Sequence, residues 1–271
     1  MAILSAHTLP TLFNPKWDHT YIESDDGLKW GCFGRDTGGN KICSANGESA
    51  FADCLSYPRG KVSGFPQYAG ITYAIDGVCH QAANRILYAA GNGGLDVAAA
   101  KGYPLSLILY GAYGLGAKVP WPRLSHCANI RASAGSAPSG GPIVTANKSK
   151  SAQLADNIRQ IYSQAGPTTD DSTIARQELE ALARVQLGED YDPKKIAAVA
   201  EFQRSWRESQ QRLTERLKRG DVSPEGYRAI LRQLIAETAS HCEAILGDHD
   251  FERLFGVPAK DAADLLAPPS F

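Results

Sequence analysis

Of the 26 glycines in this 271-residue chain, 20 fall in residues 1–150 and six in residues 151–271. A glycine inside a helix costs roughly 1 kcal/mol relative to alanine, so long helices belong to the glycine-poor half. Charge divides at the same place: residues 1–150 carry 13 basic and 9 acidic side chains, and residues 151–271 carry 15 and 20. The join over 132–150, ASAGSAPSGGPIVTANKSK, is rich in Ser, Gly, Ala and Pro and reads as a flexible connection. The expected organisation is therefore a domain over 1–131, a linker over 132–150 and an all-helical domain over 151–271.

Helical periodicity runs through the second half. Leu154, Ile158, Ile161 and Tyr162 stand at i, i+4, i+7 and i+8, and Ile196, Val199, Phe202, Trp206, Leu213 and Leu217 keep one face apolar. Tyr227, Ile230, Leu231, Leu234, Ile235, Cys242 and Ile245 repeat the pattern. Pro193 after Asp192, and Pro224 after Ser223, are first-turn prolines behind capping residues, while Gly220 after Lys218-Arg219 is a stop. Four or five helices are expected. Their charged faces, such as Arg204, Arg207, Glu208, Arg212, Glu215 and Arg216, read as solvated decoration, with a protein partner as the alternative use.

The first half reads as mixed α and β, which makes the whole chain α+β. His19 to Glu23 and Leu28 to Phe33 are strand-like runs joined by Ser24-Asp25-Asp26-Gly27, a hairpin turn. A short helix is expected over Ala50 to Leu55, a strand over Gly70 to Ile75, a helix over Cys79 to Ala90 and a strand over Leu105 to Tyr110.

Composition excludes several classes. A formal net charge of −1 gives no basic excess for nucleic acid. The longest apolar run, Leu105 to Ala117, is short and broken by glycines, so no transmembrane segment is expected. No secretory signal pattern opens the chain, which points to the cytoplasm. Six cysteines without a C-x-x-C pair are too sparse for a disulfide scaffold, and reduced thiols are expected.

The sharpest chemical feature is Gly77-Val78-Cys79-His80 at the start of the helix expected from Cys79. A thiol there meets unpaired backbone N–H groups and the positive end of the helix dipole, which favour thiolate over thiol. The same N–H groups suit the oxyanion of an acyl-transfer intermediate. Burial as a small apolar residue is the competing role for Cys79, and a non-catalytic helical interaction protein is the function that goes with it. Two histidines compete as base. His19 opens the first strand of the hairpin, and His126 lies 47 residues beyond Cys79. His80 adjoins Cys79 but points about a quarter-turn away. By strand alternation His19 shares a face with Tyr21, so the Tyr21 face is expected to pack on the Cys79 helix.

The strand Asp18-His19-Thr20-Tyr21-Ile22, the second strand through Trp30-Gly31-Cys32-Phe33 and the Gly77-Val78-Cys79-His80 helix start resemble the circularly permuted NlpC/P60 hydrolases, including the lecithin:retinol acyltransferase-like branch. The resemblance covers about residues 15–115. It implies a papain-like antiparallel sheet with a nucleophile-bearing helix, Cys79 as nucleophile and His19 as base. It leaves the third catalytic residue unassigned, since Trp30, Gly31 and Cys32, followed by Arg35 and Asp36, offer no clear polar strand position. The Gly77-Val78-Cys79 start is also similar to transglutaminase-like enzymes, an order that nominates His126 as base and Asp96 weakly as its orienter. Both readings describe a hydrolase, amidase or acyltransferase acting on a peptide, amide or ester without a cofactor.

Other signals are weaker. Trp30 and Tyr73 are the candidates for a substrate groove among aromatics that otherwise fill a core. Cys32, Cys43 and Cys54, with His19 or His80, lack the close cysteine pair of a structural zinc site, and no metal is expected. The Gly-rich runs at 91–94 and 111–116 match no phosphate loop.

Overall fold

The computed structural model describes residues 2–11, 14–34, 36–90, 96–117, 127, 149–166 and 168–266. The chain opens with a strand that sequence reading did not anticipate, β1 (Ala2–Pro10). Its buried residues alternate, Ala2, Leu4, Ala6 and Thr8, as in a strand with one face on a core. β2 (Asp18–Ser24) and β3 (Lys29–Trp30) form the expected hairpin, closed by Gly27 at a φ of 87° that side chains disfavour. With β4 (Asn40–Gly47) they build an antiparallel sheet in the order β3-β2-β1-β4. Residues between β3 and β4 cross from one edge of this sheet to the other.

α1 (Ser49–Leu55) falls where it was expected. A second, small antiparallel sheet follows, made of β5 (Gly60–Val62), β6 (Phe65–Tyr68) and β7 (Ile71–Thr72). The strand expected over 70–75 is thus only two residues long, because residues 73–77 fold into a tight turn with Ala74 N–H donating to the Gly77 carbonyl. α2 (Cys79–Leu87) begins at the expected cysteine and passes into a 3-10 turn at Tyr88–Ala90.

The run Leu105 to Tyr110, expected as a strand, lies in a helix, α3 (Tyr103–Tyr110). Every residue of α3 is buried, so its sequence shows no 3.6-residue pattern and cannot be told from a buried strand by periodicity. Pro104 in the first turn was the local sign of a helix start.

Among the described residues, five helices run from residue 150 onward: α4 (Lys150–Gln164), α5 (Asp171–Leu187), α6 (Pro193–Arg219), α7 (Pro224–Leu246) and α8 (Asp248–Phe255), then a 3-10 segment over Ala259–Leu266. The fold is α+β with a helical C-terminal region. Apart from Ser149 and Lys150, the expected linker lies outside the described residues. The helices after it share one core with the first half. Gln203 of α6 donates to the Ile108 carbonyl of α3 at 2.6 Å, Trp206 meets the Tyr110 ring, and Glu178 of α5 accepts from the Ala112 N–H at 2.9 Å. No helix among the described residues is long and apolar enough to cross a membrane.

Cys54 and Cys127 are joined in a disulfide, which corrects the expectation that all six thiols stay reduced. The fold brings their α-carbons to 5.9 Å across 73 residues of sequence, a proximity no spacing rule reveals. Cys32, Cys43, Cys79 and Cys242 are not disulfide-bonded.

Candidate active site

Cys79 is the first residue of α2, and the first backbone bond within the helix runs from Ala82 N–H to the Val78 carbonyl. Helix geometry therefore leaves the N–H groups of Cys79, His80 and Gln81 without an intrahelical acceptor. Gln81 steadies this end by accepting from Val78 N–H at 3.1 Å, one half of a capping box. The Cys79 side chain is half-buried, with its sulfur 3.9 Å from the Asp18 carbonyl.

His19, the residue after Asp18 on β2, lies close enough to Cys79 for the sulfur to help hold its imidazole protonated. The expected nucleophile and base are thus brought together. Asp36 completes a line of three: its Oδ1 lies 3.5 Å from His19 Nε2. Sequence reading missed this role because Asp36 belongs to no strand; it sits in the segment that crosses between β3 and β4. Two glycines make room for the arrangement. A β-carbon on Gly31 would lie 1.9 Å from Asp36 Oδ2, and one on Gly34 would lie 2.9 Å from the His19 ring. The glycines at 31 and 34, just ahead of an acid at 36, were the available signal.

Electrostatics follow from this geometry. Burial opposes charge on the His19 imidazole, but the hydrogen bonds and negative charges of Asp36 and the Cys79 sulfur outweigh it and raise His19 to about 9. At neutral pH the His19 imidazole is therefore charged. His80 is the opposite case. Burial, with the His19 charge nearby, lowers it to about 3, and Ser106 Oγ lies 2.8 Å from its Nδ1. It is a neutral core residue.

Cys32 lies close enough for the charges of Cys79 and Asp36 to act on it, but burial first and those charges second push its thiol well up. It is fully buried, its sulfur against the Trp30 carbonyl at 3.6 Å. The two thiols thus differ in kind: Cys79 can be reached and Cys32 cannot.

The other candidates separate. Trp30 is 1% exposed and directs its indole N–H toward Asp53 at 3.4 Å, so it is a core residue and not a groove wall. Tyr73 stays near the site. Burial first, and the Cys79 charge second, push its phenol up, and its ring meets Phe33 edge-on at 5.2 Å. His126 and the side chain of Asp96 lie outside the described residues.

The expectation that the Tyr21 face packs on the Cys79 helix is not met. Leu4, Ala6 and Ile22, on the opposite face, join Ala82, Ala83 and Ile86 of α2 in the core. Tyr21 instead stacks with His7 at 5.1 Å and His19 at 6.3 Å, and its hydroxyl accepts from Gly39 N–H. The segment between β3 and β4 covers this face, which is why it can carry Asp36 to His19.

Cys54 is spent in the disulfide, so the cysteine set weighed for zinc cannot assemble. Among the described residues no three His, Cys, Asp or Glu side chains are grouped to hold a metal. An apolar cavity lined by Leu109, Val199, Ile235, Ala239 and Phe251 belongs to α3, α6, α7 and α8, not to the elements around Cys79. Comparison with models of protein families, with curated proteins and with solved structures finds no match, so the chemistry of the site has to be read from its own geometry.

Proposed function

We propose that the chain is a cysteine-dependent acyl-transfer enzyme, a hydrolase or amidase with transfer to an amine or hydroxyl acceptor as a variant of the same chemistry. The observation that carries this reading is the line Cys79, His19, Asp36 at the N-terminus of α2. Cys79 attacks the carbonyl carbon of an amide or ester, forming the carbon–sulfur bond, while His19 holds the proton taken from the thiol. The free N–H groups of the first turn of α2 stabilise the oxyanion. As the intermediate collapses, the bond to the leaving group breaks and His19 gives that group its proton. Water or an acceptor then donates a proton to His19, attacks the acyl-enzyme and releases the Cys79 sulfur. Asp36 orients the imidazole and favours its charged form, as an acid does in other nucleophile–histidine lines.

The same arrangement fits the papain-like, permuted NlpC/P60 resemblance, in which the histidine strand precedes the cysteine helix. The substrate class is a peptide, side-chain amide or ester. On location, the Cys54–Cys127 disulfide favours a compartment that oxidises thiols over the cytoplasm. Trapping of an acyl group on Cys79, and its loss when His19 is replaced, tests the reading.

A further inference from the structure

Near the site stands a cation, Arg59, whose charge reaches Cys32 as those of Cys79 and Asp36 do. Arg59 is exposed and yet fixed: its Nη2 donates to Ser56 Oγ at 3.3 Å and to Tyr68 Oη at 3.2 Å. Its guanidinium carbon lies 4.9 Å from the centre of the Tyr68 ring and 5.5 Å from that of Tyr57. Among the described residues it forms no ion pair. Surface arginines are usually mobile, and ordering one costs side-chain entropy. Here two hydrogen bonds and two rings have ordered it beforehand, with guanidinium N–H groups left to donate.

A continuous row of rings joins this arginine to the nucleophile. Tyr68 meets Phe33 at 6.2 Å, and Phe33 meets Tyr73 at 5.2 Å. Phe33 adjoins Gly34, the residue pressed on the His19 ring, and Tyr73 is bridged to Gly77 just before Cys79. Phe33 also holds a positive φ of 68°, which a bulky side chain adopts only under constraint from its surroundings. Phe33, Tyr68 and Tyr73 each keep 8–9% of their surface exposed, an apolar stretch that ends at a positive charge.

We propose that the acyl donor carries a carboxylate on a side chain two or three residues from its reacting carbonyl, and that Arg59, fixed by Ser56, Tyr57 and Tyr68, is the specificity residue that pairs with it. This rests on the acyl-transfer reading of Cys79. A carboxylate is the group that matches a planar fork of N–H donors, and the rings of this row contact the apolar part of the chain between the carboxylate and the carbonyl.

The test uses p-nitrophenyl esters of N-acetylated glycine peptides carrying one Glu or one Gln two or three residues from the ester. The readout is the rate of acylation of Cys79. In the wild type the Glu ester is expected to react roughly fivefold to tenfold faster than its Gln counterpart in at least one placement. Arg59→Met should bring that ratio close to one, and Arg59→Lys should restore part of it. Equal rates for Glu and Gln in the wild type, or a preference that survives Arg59→Met, would overturn the proposal while leaving the acyl-transfer reading intact. Acylation of Cys79 by neither ester would overturn the acyl-transfer reading itself.

Discussion

At the residue scale, the chemistry depends on where a proton sits. The His19 pKa of about 9 is above the ordinary value of 6.5, so its charged form persists through neutral pH and is lost as pH rises through about 9. The associated contribution to stability has the same sign: fully present below about 6.5 and lost through about 9. Asp36→Asn removes the negative charge beside the His19 N–H while keeping an acceptor, so it lowers the His19 pKa. The alkaline limb of the kcat/KM profile should move to lower pH, with kcat/KM reduced roughly tenfold to a hundredfold. Gly31→Ala should reproduce that shift with Cys79, His19 and Asp36 all unchanged in identity, because its β-carbon would occupy the place of the Asp36 carboxylate. A profile whose alkaline limb stays in place in both variants would remove Asp36 from the mechanism.

At the scale of elements, the parts legible in the sequence were those with a periodic face or a strong cap. Helices α6 and α7 show both, an apolar stripe and a capping residue, Asp192 or Ser223, whose side chain accepts a backbone N–H. Helix α3 shows neither, because its surroundings bury every side and its sequence is apolar throughout. β1 alternates, but with alanines at two of its buried positions it lacks the bulky contrast that marks a strand. The contact between α5 and the residues after α3 was equally hidden. Glu178 lies fully buried between Ala112 N–H and the Tyr162 hydroxyl, and burial first, against the opposing charge of Arg207, raises its carboxyl to about 7. The folded state therefore holds this proton more tightly than the unfolded chain, and stability falls as pH rises from about 4.5 through about 7. Glu178→Gln keeps an acceptor and cannot ionise. Its melting temperature relative to wild type should improve steadily between those two pH values, and a difference independent of pH would mean that the carboxyl is ionised throughout.

At the scale of the whole molecule, the two compositional halves meet in one core, and the site is assembled from segments far apart in sequence: β2, the crossing between β3 and β4, and the start of α2. Cys79 and His19 were legible because each carries a local mark, a turn before a helix and a strand opening. Asp36 was not, because its role depends on a chain crossing that covers one face of the sheet. The disulfide was hidden for the same reason, as residues 54 and 127 meet only in the folded chain. Unreduced protein should be lighter than reduced protein by two hydrogens, located by peptide mapping to Cys54 and Cys127; six free thiols in unreduced protein would contradict the pairing. The most direct measurement is reaction with p-nitrophenyl acetate, followed by nitrophenolate release and by mass analysis of the cysteine peptides. The account predicts a burst of one equivalent, an acetyl group on the Cys79 peptide, no burst in Cys79→Ala, and a burst slowed about a hundredfold or more in His19→Ala at unchanged fold. Acetylation of Cys79 no faster than that of Cys43, or a burst indifferent to His19, would contradict it.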